Sequence, residues 1–313
     1  MRIRATVAAV SGALALSAFV VPGAHAAGSA GSSSYRADVT KVQEAARAAS
    51  GKTAFTGSTG AVTGTPYALD LSFSNVKVNN GKSIVVGTTN KVTAPVTFSV
   101  KHGADVDITA ADFFLDVELY RGSYDDPVNI LFGDDSPSCT ETSATTATCK
   151  STIDVYPDTD LVGNVDATTW KAIGVGVAFN GVDPDDPNAD LSKVGYVDQD
   201  ALLTTKLQRY SKLTVNAAPE PVKKGKTVTV TGKLSRANWD DFAYHGYTVQ
   251  PVSLQFRKKT SSTYTTIKTI KSDSTGNLKT TTTATVDGYF RYSFAGTSTT
   301  PAVNATGDYV DVQ

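Results

Sequence analysis

Four residue types that carry much of protein chemistry are scarce in this chain of 313 residues, which has 2 Cys, 1 Met, 2 Trp and 3 His. Two cysteines exclude a disulfide-dense scaffold and a four-thiolate zinc site. Apart from His25 near the N-terminus, only His102 and His245 could act as ligands or bases, and neither stands in an H-E-x-x-H context. The G-x-S-x-G elbow and the P-loop are absent as well. No apolar run beyond residue 21 is long enough to cross a bilayer. A formal net charge of −1, with no dense basic patch, gives no footprint for nucleic acid. The 40% of hydrophobic residues can still bury a core, so a wholly disordered chain is excluded too.

Arg2 and Arg4 precede an apolar stretch over residues 5–21, and Ala24, His25 and Ala26 form an A-x-A cleavage site. This pattern predicts a secretory signal peptide over 1–26 and a secreted, extracellular protein. In an oxidising compartment Cys139 and Cys149 would pair across the base of a hairpin. Closing so short a loop is worth roughly 2.8 kcal/mol in the chain-entropy model. A zinc pair would need two further ligands, and the histidines stand at no motif spacing.

Residues 27–65 are mostly small and polar. Within them 36–49 can be helical, with Val39, Val42 and Ala46 at three- and four-residue steps. That apolar face is thin, so a tether or marginal helix is expected, followed by a Gly, Ser and Thr linker. From Tyr67 the period becomes two. Leu69, Leu71 and Phe73 share one face and Val76 and Val78 the other, a phase flip that predicts a bulge near Ser74 and Asn75.

Strand signals follow at 91–100, 113–120, 129–132, 147–155 and 170–179, giving a first β-sandwich domain over 66–206. A second series, at 212–217, 227–234, 251–259, 264–271, 278–286, 289–294 and 309–312, fits an immunoglobulin-like sandwich over 207–313. Residues 204–211 hold neither Gly nor Pro and read as a short, semi-rigid link. The expected fold class is all-β, with two β-sandwich domains in tandem. Charge divides at the same place: residues 27–206 carry 23 acidic and 13 basic side chains, and residues 207–313 carry 7 and 14. A near-neutral total conceals a dipolar molecule.

The segments YSKLTVNAAPEPVKKGKTVTVTGKLSRANW (210–239), VSLQFRKK (252–259) and DGYFRYSFAGTSTTPAVNATGDYVDV (287–312) resemble a family of secreted streptomycete (actinobacterial) two-domain proteins. FSNVKVNNGKSIVVGTTNKV (73–92), KHGADVDITAADFF (101–114) and Trp170 look like the N-terminal domain of the same proteins. The resemblance covers nearly the whole chain after the leader. Some members are labelled calcium-binding, which implies a calcium site without naming its ligands, and the family offers no catalytic motif.

The residues suggest where such a site could lie. The loop NGVDPDDPNAD (180–190) supplies Asp183, Asp185, Asp186, Asn188 and Asp190. Calcium takes six to eight hard oxygens at roughly 2.3–2.6 Å, and prolines that pre-shape the loop reduce the ordering cost. The spacing is not that of an EF-hand, since Asn188 and Val194 occupy the Gly and Glu positions. Affinity would be weak, about 10⁻⁴–10⁻³ M. Asp125 and Asp126, and Asp134 and Asp135, form two further acidic turns, and all three can equally be solvated turns.

A second candidate is the aromatic run 238–247, in which Trp239, Tyr244 and Tyr247, beside His245, could contact a carbohydrate. The competing reading is that these rings close one end of the sandwich. A third is the basic set Lys223, Lys224, Lys226, Arg257, Lys258 and Lys259, which could meet wall polyanions or could guard strand edges. The chain therefore reads as a secreted, non-enzymatic binding or structural protein, with weak calcium binding through the acidic loop. The alternative is a metal-independent module that adheres to a cell-wall polymer or carbohydrate and is wall-associated. A carboxylate-dependent hydrolase stands third.

Overall fold

The computed structural model describes residues 32–50, 63–159 and 161–313. The expected signal peptide and most of the linker before Tyr67 lie outside them. The alternating segments build two sandwiches. In the first, a six-stranded sheet runs in the order Tyr67–Ala68, Gly195–Arg209, Thr169–Ala178, Phe113–Gly122 and Pro127–Leu131, with Ile84–Val86 paired to the far end of Gly195–Arg209. A four-stranded sheet faces it, in the order Leu71–Val78, Val92–His102, Thr146–Val155 and Ser138–Ser143.

Phe73, Phe98, Leu115, Val117, Leu119, Ile153 and Trp170 fill the space between these sheets. Each such side chain contributes about 1.5–3 kcal/mol by leaving water. Gly174 is required there, because a Cβ would come within 2.5 Å of the Phe73 ring. The expected bulge lies where the register slips between Ser74 and Lys77, with Asn75 at φ +54°. Cys139 and Cys149 are directly opposed on neighbouring strands and form the disulfide.

The second sandwich is immunoglobulin-like. One sheet centres on Thr227–Asn238, which pairs with Ser211–Leu213, Asn216–Ala218, Ala243–Gly246 and Asn277–Thr283. The other centres on Pro251–Lys258 and Gly288–Phe294, flanked by Thr265–Lys271, Val303–Asn304 and Asp308–Val310. Val228, Val230, Leu234, Leu254, Phe290 and Tyr292 pack between them.

Two expectations are corrected. Residues 204–211 are not a link: they belong to the strands Gly195–Arg209 and Ser211–Leu213, interrupted only at Tyr210. Their strand is hidden in the sequence because its alternation breaks at a bulge, where the register shifts between Gln199 and Leu203 and Ala201 takes φ +56°.

The helix α1 (Ser32–Ala49) is likewise a core element rather than a tether. Val39 and Val42 are 6% and 0% exposed, and they pack with Phe114, Ile173, Val175 and Val177 on the outer face of the six-stranded sheet. Its thin apolar face suffices because cations flank it. Arg36 reaches Asp116 at 2.5 Å and also Glu118, and its guanidinium lies 3.5 Å from the Phe132 ring centroid. Lys41 pairs with Asp185, and Arg47 donates to the Tyr124 carbonyl at 2.8 Å.

Asp116 is buried beneath the helix. Burial pushes its carboxyl up to about 7, against the opposing pull of Arg36. A carboxyl raised in this way binds its proton more tightly folded than unfolded. Its contribution to stability is full below the ordinary carboxylate range, declines as pH rises toward about 7, and is flat above. Thermal melts of wild type and Asp116→Asn should therefore diverge between about pH 5 and about pH 7, the variant gaining relative stability as pH rises. Parallel melting curves across that range would contradict a protonatable Asp116.

Candidate functional site

The strand Gly195–Arg209 carries the chain straight into the second sandwich. At Tyr210 the backbone is divided: its N–H donates to the Val86 carbonyl at 2.8 Å, and its carbonyl accepts from the Ala237 N–H at 2.8 Å. Beside it, Asp166 accepts from the Gly163 N–H at 2.8 Å and pairs with Arg121 at 2.7 Å, fixing the turn Asn164–Asp166. That turn presents Asn164 to the second sandwich. Its N–H and side-chain amide donate to the Asp240 carboxylate at 3.0 and 2.7 Å, and the amide also reaches Asn238. Its side-chain oxygen accepts from the Trp239 N–H at 3.1 Å and from Arg209.

Trp239 completes the junction. It is fully buried in the core of the first sandwich, and its indole N–H donates to the Gly87 carbonyl at 2.8 Å. Gln208 donates to the carbonyls of Thr297 and Ser298 at 3.1 and 3.2 Å. Burial, aided by the nearby charge of Arg236, lowers the Arg209 guanidinium to about 10. A network of this kind rigidifies as far as its members are satisfied, and here the Arg209 Nε is the buried atom left without a partner among the described residues. Sequence reasoning missed it because Gly87, Asn164, the pair Gln208 and Arg209, and Trp239 come from four separate parts of the chain and match no motif.

The proposed ligand contacts fare differently. Trp239 is corrected: its ring is sealed in a core and has no face to offer a sugar. Tyr244 and Tyr247 remain partly exposed, but each ring already carries a cation, with Lys212 3.4 Å from the Tyr244 centroid and Arg236 3.9 Å from that of Tyr247. His245 lies 2.7 Å from Asp241 on the surface.

The acidic loop uses its carboxylates locally. Asp183 accepts from the Asp185 N–H at 2.9 Å, and Asp186 from the Asn188 N–H at 2.8 Å. Asp190 accepts from the Ser192 N–H at 3.1 Å and hydroxyl at 2.6 Å, bonds that hold its carboxyl below the usual range. Asp185 is taken by Lys41. Of the other acidic turns, Asp125 meets Arg47 and Asp134 meets Lys91, so the three turns face three different cations. Among the described residues no three His, Cys, Asp or Glu side chains are grouped to hold a metal. At the root of the loop, Asp70, Asp105, Asp112 and Asn180 line an open cavity of about 300 Å³, where Asp112 accepts from the Gly181 N–H at 2.7 Å.

The basic turns share one end of the second sandwich. Lys224 donates its N–H to the Gln313 carbonyl, and Asp287, which accepts from the Val312 N–H at 2.9 Å, lies 3.9 Å from Lys259. Arg257 is stacked 3.8 Å from the Tyr289 ring centroid.

The chain matches no family model and no curated protein sequence. Solved structures similar to it include the mouse nectin-like molecule 4 ectodomain (Ig1–Ig3), with 11% identity and TM-score 0.21, covering 79% of this chain and 65% of that one. The D00–D0 domain of intimin has 15% identity and TM-score 0.24, covering 76% and 99%. The BSP domain of a biofilm-associated protein has 9% identity and TM-score 0.24, covering 88% and 54%. The chain thus spans less than two thirds of the nectin-like ectodomain and about half of the biofilm-associated protein. Superpositions this loose carry no functional argument, which has to come from the chain's own residues.

Removing the junction's central ring tests its reach. Trp239→Ala should lower stability by about 3–5 kcal/mol in denaturant titrations. Hydrogen exchange should quicken in both sandwiches, at Val92–His102 as well as at Pro251–Lys258. Loss of protection confined to the second sandwich would show that the ring is not shared.

Proposed function

We propose that this chain is a secreted, non-enzymatic structural and binding protein whose two sandwiches work outside the cell as one stiff unit. The junction carries this reading. Tyr210 is bonded to both sandwiches and Trp239 is seated in the neighbouring core, an arrangement that removes the hinge expected between ordinary tandem domains. A stiff tandem suits a spacer or adhesive module, which must hold a contact surface at a fixed distance and orientation. The disulfide supports the extracellular setting, because such bonds persist in oxidising compartments and are rare where thiols are kept reduced. Among the described residues no helix is long and apolar enough to cross a membrane.

Small-angle scattering tests the stiffness directly. Wild type should scatter as a single rigid particle, and the double variant Asn164→Ala, Arg209→Ala should show a larger maximum dimension and a spread of interdomain distances. A wild-type profile that already needs two independently moving bodies would defeat the proposal. The setting has its own test: when cells making the full chain are fractionated under alkylation, the protein should appear in the medium with no free thiol, and retention inside the cell with two free thiols would count against export.

A further inference from the structure

Leu71–Val78 borders the four-stranded sheet, and on the same side of the first sandwich the middle of Gly195–Arg209 is an uncovered stretch of the six-stranded sheet, between the ends that pair with Tyr67–Ala68 and Ile84–Val86. Gln199 joins the two edges at one point. Its side chain accepts from the Phe73 N–H at 2.8 Å and donates to the Phe73 carbonyl at 3.1 Å, the two bonds that a neighbouring strand would make. Beyond that point both edges are uncovered, as far as Val78 on one strand and Lys206 on the other, where Ile84–Val86 takes up the pairing. Lys77 and Val78 have strand partners only in Val92–His102, with Val76 in the bulge, and 203–206 only in Thr169–Ala178. Among the described residues, no strand faces their outer sides.

Between the two edges lies a slot of about 400 Å³, lined by residues 76–78, 81–83 and 203–206. Consecutive rather than alternate residues line it, so main chain forms much of its wall. Lys77, Lys82 and Lys206 rim the opening, and none of them joins an ion pair among the described residues. These cations gather in a region where acids outnumber bases 23 to 13, so their company is not a by-product of composition.

We propose that this slot docks an extended, acidic polypeptide strand of a partner protein. The strand adds to the exposed edges through main-chain hydrogen bonds, while its carboxylates meet Lys77, Lys82 and Lys206. An anionic polymer without peptide groups would answer the lysines and leave the edges unpaired. The Gln199 amide, standing where a strand's peptide group would stand, favours the polypeptide. This inference rests on the binding part of the proposed function and does not need the stiff junction.

The test titrates the full chain with a fluorescein-labelled peptide of alternating Glu and Val, read by anisotropy. Three comparison probes are the same peptide with N-methylated valines, a Lys-Val peptide and inorganic polyphosphate. Saturable binding of the Glu-Val peptide is expected, weakened about tenfold or more by N-methylation and by Lys77→Glu, Lys206→Glu. Binding should also slow hydrogen exchange of the amides at 76–78 and 203–206. Melting curves of the lysine variant, which changes only exposed side chains, check that it folds. Absence of saturable binding overturns the proposal. Polyphosphate that competes equally, with N-methylation harmless, overturns it in favour of a simple anion patch. A wild-type scattering profile that needs two independently moving bodies, with saturable peptide binding retained, leaves the slot standing and removes only the stiff unit.

Discussion

Tyr210 cannot release either sandwich without breaking a backbone hydrogen bond. Its N–H belongs to the first and its carbonyl to the second, and each such bond is worth about 0.5–1.5 kcal/mol net. The surrounding contacts follow from that constraint. With the backbone held on both sides, Trp239 is carried into the neighbouring core, and the Asn164 amide meets a carboxylate, a main-chain N–H and a guanidinium at once. Tandem sandwiches usually meet through a linker with freedom to swing. Here the connecting segment is itself strand.

Much of this fold is legible in the sequence because period-two alternation reports burial on one face. Leu69, Leu71 and Phe73, or Val228 and Val230, could hardly mean anything else. The disulfide was legible for a similar reason, since two cysteines around a short polar segment have one geometry available. What escaped were features whose determinants are not local. Gly195–Arg209 is the longest strand of all, yet its alternation is interrupted at Ala201. Helix α1 has too few apolar positions to read as core, and only the carboxylates Asp116 and Glu118, some eighty residues further on, make its Arg36 a reason to dock. Trp239 could be assigned to a ligand or to a core only once Gly87 was known to stand opposite its indole N–H.

Charge behaves the same way. The acid-rich first region looks like a set of cation sites when read along the chain. In three dimensions part of that charge is answered from within: Arg36, Lys41 and Arg47 of one helix take Asp116 and Glu118, Asp185, and Asp125. Asp183, Asp186 and Asp190, at the surface, accept from backbone N–H groups two residues further along their own loop. Acidic loops of this composition therefore serve first as turn builders and helix clamps, and any ligand has to compete with bonds already made.

The two sandwiches also manage their open sides differently, and the contrast bears on what the first one is for. In the second, the border strands Thr265–Lys271 and Asn277–Thr283 belong to opposite sheets, and Lys268 crosses between them to donate to the Thr281 carbonyl at 2.6 Å. A lysine there spends its charge on the chain's own edge. In the first, Gln199 spans the gap at a single point, and Lys77, Lys82 and Lys206 stand around the remaining opening, in an ion pair with no carboxylate among the described residues. Edge lysines repel a neutral or basic strand by forcing desolvation of a cation, and they attract an acidic one for the same electrostatic reason. One device thus excludes indiscriminate pairing and selects a partner by charge, and the sandwich that keeps it is the one whose edges are otherwise left unpaired.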